Sequence, residues 1–257
     1  MLSPDFAASR IILIITLVAL IALLTVRAIR KGHAEFRRFK KFERTRNRQR
    51  MLRKWLVESF LLFGGTTVVL LVLLWQYIPL FLEAVHGWPV GIWFRAVVDA
   101  SHGGVTNIAI VLAVVIVAGT IIAVYLVRKT ENIPTIGDIS ALLPRNRSEL
   151  VYGTALSLNA GLVEELLFRL AVPVLIFGAT SSAIVAVIVS VLLFGGLHIY
   201  QGWPGIIGAV IIGSLLMVLY LTTGNVLVAI VTHALIDLRS LVLIPVLVYG
   251  VHRVSAV

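Results

Sequence analysis

Long apolar runs separated by short polar stretches make up most of this chain. A bilayer core about 30 Å thick needs about 20 apolar residues in helical form. Residues 11–26 form a first run, extended by Phe6, Ala7 and Ala8. Further runs cover 55–78, 105–127, 150–177, 181–200 and 206–221. The stretches 226–238 and 241–251 are short and read as a seventh and an eighth span. The runs are rich in Val, Leu and Ile and lack the alternation over about ten residues that barrel strands show. The pattern predicts an all-α, polytopic integral membrane bundle of about 7–8 transmembrane helices. A secretory signal peptide would carry its basic residues before the apolar run. Here they follow it, and no A-x-A cleavage site is present.

Composition agrees with the pattern. Hydrophobic residues make up 60% of the 257 residues and charged residues 13%. The mean hydropathy is +1.04. A soluble domain is about 45–50% apolar and about 25% charged. An ordinary soluble globule and a disordered chain are both excluded. There are no cysteines, so disulfides, thiolate nucleophiles and Cys-based zinc sites are excluded too.

The net charge is +10, and its location matters more than its size. Between Arg27 and Lys54, 13 Lys and Arg face two acids, Glu35 and Glu43, leaving that segment at +11 and the rest at −1. By the positive-inside rule the 27–54 segment is cytoplasmic, and the chain start, with Asp5, is outside. Arg128, Lys129, Arg145 and Arg147, between the third and fourth runs, fall on the same side. The cell membrane, crossed several times, is the expected location. Anionic lipid headgroups are the expected neighbours of the 27–54 segment, at about 1 kcal/mol per basic residue. No nucleic acid is expected, because FRRFKKFERTRNRQR carries no nucleic-acid-binding signature. Residues 79–104, with His86, Trp88, Trp93, Asp99 and His102, read as a loop anchored by interfacial Trp. Gly205, Ala209 and Gly213 recur at every fourth position, a close helix-packing face.

Ionisable residues inside apolar runs are costly and usually functional. They are confined here to 160–240: Glu164, Glu165 and Arg169 in AGLVEELLFRL, His198 in LLFGGLH, and His233 and Asp237 in IVTHALID. Glu165 and Arg169 are four apart with Glu first, the favoured order for an ion pair on one helix face. Glu164 is rotated about 100° from Glu165, so the two carboxylates point differently. Pro173 cannot donate to the carbonyl of Arg169, which predicts a bend. His233 and Asp237 share a face, so the carboxylate can orient the imidazole or both can address one centre. With a hairpin turn near 178–182, Glu164 lies about 22 Å before the turn and His198 about 28 Å after it, at similar depth. Reaching that depth requires a protruding loop or a tilt for His233. Simple buried pairing accounts for Glu165 and Arg169 but leaves Glu164, His198 and His233 without a structural purpose.

These residues resemble a known family. Glu164-Glu165-x-x-x-Arg169, then Phe194-x-x-x-His198, then His233-x-x-x-Asp237 is similar to the motif set of the CPBP intramembrane proteases, also called Abi, which include the CAAX prenyl endopeptidases. The resemblance covers about residues 145–240. It divides the chain into an N-terminal anchor with its basic segment (1–54), two transmembrane helices with a connecting loop (55–144) and a CPBP-like catalytic helical core (145–257). It implies a helical intramembrane endopeptidase acting on a membrane-associated or lipidated protein or peptide. Glu164 would activate water together with His198, Glu165 and Arg169 would support the site, and His233 and Asp237 would stabilise the oxyanion or complete a metal site. Leu170 stands where Gly usually follows the Arg, and Asp237 where CAAX-type members usually have Asn. An ionised Asp only accepts hydrogen bonds, which leaves it to orient His233 or to act as a ligand.

Two mechanisms of amide hydrolysis fit these residue types. Glu164, His198 and His233 could bind zinc or another divalent metal with water in the open position. Alternatively no cofactor is needed: Glu164 takes a proton from water held by His198, and protonated His233 steadies the oxyanion. Other readings of the same charges are a non-catalytic immunity or scaffold protein and a small transporter. The transporter predicts an internal repeat, and none is evident.

Overall fold

The computed structural model describes residues 2–4, 7–100, 104–130, 137 and 139–255. Asp5 and His102 lie outside the described residues, as do the side chains of Arg128 and Lys129. Among the described residues all regular structure is helical. The helix α1 (Ala7–Val26) runs through a π-helical turn (Arg27–Gly32) into α2 (His33–Lys40). A short break leads to α3 (Thr45–Glu58), which continues through a second π-helical turn (Ser59–Gly64) into α4 (Gly65–Leu74). Then come α5 (Tyr77–His86), α6 (Pro89–Ala100) and α7 (Gly104–Thr130). The helix α8 (Arg147–Glu165) passes through Leu166–Ala171, again π-helical, into α9 (Val172–Thr180). The chain ends with α10 (Ala183–Gly196), α11 (Gly202–Thr223), α12 (Val226–Leu238) and α13 (Ile244–Tyr249), the last two joined by the π-helical turn Arg239–Leu243.

Among the described residues, four helical stretches are long and apolar enough to cross a membrane: Ala8–Lys40, Thr45–Leu74, Ala183–Thr223 and Val226–Tyr249. Large apolar side chains face outward along the bundle, among them Val18, Val69, Ile121, Ile188 and Leu215. Contiguous exposed apolar surface of this extent suits a lipid environment and not water. The molecule is a helical membrane bundle.

Several boundaries differ from the sequence expectation. The stretches read as a seventh and an eighth span are one continuous helix, Val226–Tyr249. Asp237, Arg239 and Ser240 lower the local hydropathy without breaking the helix, because Arg239 reaches into the bundle. Its Nε donates to Thr120 Oγ1 at 3.1 Å and its Nη2 to the Gly119 carbonyl at 2.6 Å. The expected loop at 79–104 is largely helical, as α5 and α6. Tyr77, Phe81 and Val85 recur every fourth residue of α5 and are buried, which gives that helix a core face. The second span begins ten residues early, at Thr45, because Arg, Gln, Lys and Met sustain a helix as well as apolar residues do.

The α8–α9 helix is the central element. Val172, Val174, Leu175 and Ile176 of α9 are fully buried. On one side α1 runs antiparallel, with Arg10 Nε donating to the Ala179 carbonyl at 3.1 Å. On another, α3 and α4 run parallel to α8, with Arg48 paired to Glu149 and Asn159 donating to Ser59. The antiparallel α12 approaches so closely at Gly161 that a Cβ there would lie 2.9 Å from the Ala234 side chain and the Ile230 carbonyl. Close backbone approach through small residues is the usual way membrane helices gain packing energy.

Candidate active site

The site begins at the start of α8. The Asn146 side chain caps the helix by accepting from Glu149 N–H at 3.1 Å. Glu149, fully buried, forms an ion pair with buried Arg48 at 2.9 Å, and its other oxygen accepts from Arg145 N–H at 3.0 Å. Arg48 also donates to the Ala141 and Leu143 carbonyls and lies over the Phe39 ring at 4.5 Å. This cluster clamps the basic hairpin of α2 and α3 onto the helix that carries the two glutamates.

At the other end of α8, Glu164 and Glu165 occupy different environments, as their rotation around the helix requires. Glu165 is fully buried. Its Oε1 accepts from Arg169 Nη2 at 3.2 Å and from His233 Nδ1 at 2.8 Å. Its Oε2 lies 2.9 Å from Arg169 Nε in an ion-pair contact without hydrogen-bond alignment. Both partners of Glu165 are thus held by one carboxylate. Arg169 lies in the π-helical turn, whose i→i+5 bond runs from Val172 N–H to the Leu167 carbonyl, just ahead of Pro173 with its missing donor. The guanidinium stacks 4.8 Å above the Phe194 ring. Glu164 is half-buried, and its carboxylate makes no hydrogen bond or ion pair among the described residues. It stands within Coulombic range of His233, Glu165 and Arg169.

Phe194 organises the second half of the site. Its ring lies 4.9 Å from His198, 6.1 Å from His233 and 5.4 Å from Phe168. Gly213 on α11 makes room for it: a Cβ there would come within 2.8 Å of the Phe194 ring. His198 sits in the tight 3₁₀ turn Leu197–Gln201 that reverses the chain from α10 into α11, where Gly202 takes φ 77°. Its Nδ1 lies 2.8 Å from the Phe194 carbonyl. A carbonyl only accepts, so Nδ1 carries the proton and Nε2 keeps its lone pair.

His233 donates Nδ1–H to Glu165, while Asp237 Oδ2 stands 3.8 Å from its Nε2, beyond hydrogen-bond reach. The hydrogen bond that orients His233 therefore comes from Glu165 and not from Asp237. Asp237 is partly exposed and within Coulombic range of His233, Glu164 and His198. All six residues singled out in the sequence gather at one place, from α8, the π-helical turn, the α10–α11 turn and α12. Among the described residues no three His, Asp or Glu side chains come together in a way that could hold a metal ion. Glu164, His198 and His233, the ligand set expected from the sequence, do not form such a group.

Residues 146–239 match the family model described as Rce1-like, type II CAAX prenyl endopeptidase Rce1-like. This segment belongs to that family. No curated protein and no solved structure matches the chain. The Rce1-like segment begins at the Asn146 cap and ends at Arg239, so it contains every one of the six clustered residues. It is a CAAX-type intramembrane protease fold, buttressed by residues outside the match: Arg48 on Glu149, Ser59 on Asn159 and Thr120 on Arg239.

One contributor, Arg48, was not visible in the sequence pattern. Arg48 is one of 13 basic residues in its segment, and nothing in the pattern separates it from its solvated neighbours. Its partner did carry a signal, since Asn146-x-x-Glu149 before an apolar run is a capping-box pattern.

Proposed function

We propose that the Rce1-like segment is a working intramembrane endopeptidase that cleaves a membrane-associated or lipidated protein or peptide. The observation behind this reading is the contrast between the two adjacent glutamates. Glu165 is paired with Arg169 and His233, whereas Glu164 is left without a partner among the described residues, within Coulombic range of His233, and the nearby His198 turn offers an Nε2 that can accept a hydrogen bond. A half-buried carboxylate held unpaired is costly unless it has chemical work. Glu164 takes one proton from a water molecule that also donates to His198 Nε2. The water oxygen bonds to the scissile carbonyl carbon, and the π pair moves to the carbonyl oxygen. Glu164 then returns the proton to the amide nitrogen as the C–N bond breaks. The Glu165–Arg169–His233 unit keeps α8 and α12 in register so that Glu164 and His198 face the same space.

Topology supports access from the basic side. Glu165 lies about 21 Å along the helix from Ala179, which neighbours Arg10 at the opposite end of the bundle. In a core about 30 Å thick this puts the site in the half nearer the basic hairpin. That hairpin is cytoplasmic by the positive-inside rule, and its exposed Arg and Lys side chains attract anionic headgroups. The direct test compares peptides in membranes that express wild type or Glu164→Gln. Fragments that appear only with wild type are expected. Identical fragment sets would leave the non-catalytic scaffold reading in its place.

A further inference from the structure

At the end of the bundle opposite the basic hairpin, α1, α5 and the α9–α10 turn enclose a cavity of about 610 Å³. Ligand sites commonly span about 300–1,000 Å³. The walls carry one cation and one anion, the exposed side chains of Arg10 and Glu83. They do not pair with each other, and neither has an ion-pair partner among the described residues. Arg10 is fixed through its Nε, which donates to the Ala179 carbonyl at 3.1 Å. Its two Nη groups have no hydrogen-bond partner among the described residues. The planar edge they form suits two-point binding of a phosphate. The hydroxyls of Tyr77 and Ser181 line the same cavity, also without a hydrogen-bond partner among the described residues. Ser181 takes φ 58°, alone among the described non-glycine residues in the left-handed region. Glycine adopts that conformation at lower cost, so serine here brings a hydroxyl to the cavity wall at the expense of strain.

The cavity lies at headgroup level. Arg10 is in the first turn of α1, Glu83 is in the helix that follows the span ending at Leu74, and Ser181 caps the end of α9. Along α1, Ile14 and Val18 follow Arg10 at four-residue intervals and are exposed, so an apolar track leads from the cavity toward the bilayer centre. Leu80 and Phe177 add apolar wall. We propose that this cavity binds a phospholipid whose headgroup joins a phosphate to a primary ammonium, as in phosphatidylethanolamine. The phosphate lies against the Arg10 Nη groups and accepts from the Tyr77 and Ser181 hydroxyls. The ammonium donates to the Glu83 carboxylate, and an acyl chain lies along Ile14 and Val18. Arg10 supplies affinity for any phospholipid, and Glu83 supplies the selectivity. A quaternary ammonium has no N–H to donate to Glu83, and a glycerol headgroup has no positive charge to offer it. The site is separate from the six clustered residues and stands or falls independently of the endopeptidase reading.

The test uses delipidated full-length protein in detergent. Phosphatidylethanolamine, phosphatidylcholine and phosphatidylglycerol with identical acyl chains are titrated in turn, and bound lipid is counted by native mass spectrometry. Wild type is expected to hold one phosphatidylethanolamine about tenfold more tightly than either of the other lipids, the effect of one charge-assisted hydrogen bond. Glu83→Gln is expected to erase that preference, lowering phosphatidylethanolamine affinity about tenfold while phosphatidylglycerol binds as well as before or better. Because Glu83 is exposed, this variant should keep the wild-type melting temperature, which separates lost recognition from lost folding. Arg10→Gln is expected to weaken all three lipids. Ser181→Gly is expected to raise the melting temperature, since glycine relieves the strain, and yet to lower phosphatidylethanolamine affinity about threefold. Phosphoethanolamine without acyl chains, at the concentration of the lipid, should leave the bound lipid in place. Its displacing the lipid would assign the cavity to a free zwitterion and overturn the proposal. Equal affinity of wild type for the three lipids, or unchanged selectivity in Glu83→Gln, would overturn it as well.

Discussion

At the scale of single residues, the molecule turns on the different fates of neighbouring carboxylates. Glu165 is buried with an arginine and a histidine on it, and removing either partner leaves a buried charge uncompensated. Breaking such a buried pair from one side costs about 3–5 kcal/mol. Arg169→Leu is therefore expected to lower the melting temperature in detergent sharply and to abolish cleavage with it. Glu164→Gln, which removes a charge that nothing pairs, is expected to leave stability unchanged or raised. The pattern of charges in apolar runs made all six clustered residues legible, because each is expensive in a membrane and none is needed for solubility. What it did not reveal was who holds whom. The spacing of His233 and Asp237 predicts a pair along one helix, yet the ring is oriented by Glu165 from another helix, at 2.8 Å against 3.8 Å for Asp237. Contacts between helices leave no period in the sequence.

At the scale of elements, close approach positions the site. α8 and α12 touch at Gly161, and α10 and α11 at Phe194 and Gly213. Gly213→Ala would press a methyl against the Phe194 ring that supports Arg169 and lies beside His198. A cost of about 1–3 kcal/mol is expected from overpacking, with activity falling further than stability. Gly161→Leu would push α12 off α8 and part Glu165 from His233. Its expected signature is lost cleavage together with a lower melting temperature. The small-residue stripe at 205, 209 and 213 was legible as a packing face, and the ring it admits is the one at the centre of the site. Helix ends were less legible. Runs such as 45–54 and 27–40 are too polar to read as spans, but their Arg, Lys and Gln residues carry the helix on without a break. The π-helical turns, including the one that holds Arg169, shift hydrogen bonds without a compositional mark.

At the scale of the whole molecule, an almost neutral membrane body is clamped to a strongly basic hairpin through one buried ion pair, Arg48–Glu149. Arg48→Ala and Glu149→Ala are each expected to cost about 3–5 kcal/mol, with the double variant far less than additive. Release of the hairpin should also speed trypsin cleavage at the break 41–44, where Lys41 and Arg44 are exposed, a readout visible on a gel. Net charge hid this clamp, since it counts Arg48 among the solvated basic residues. The central claim is that the partnerless Glu164 performs peptide-bond hydrolysis together with His198. The most direct measurement is the rate of fragment release by purified full-length protein in vesicles, wild type against Glu164→Gln, with both variants matched in melting temperature. The account predicts release by wild type and a fall of at least about 10³-fold in the variant. Equal release by the two would contradict it.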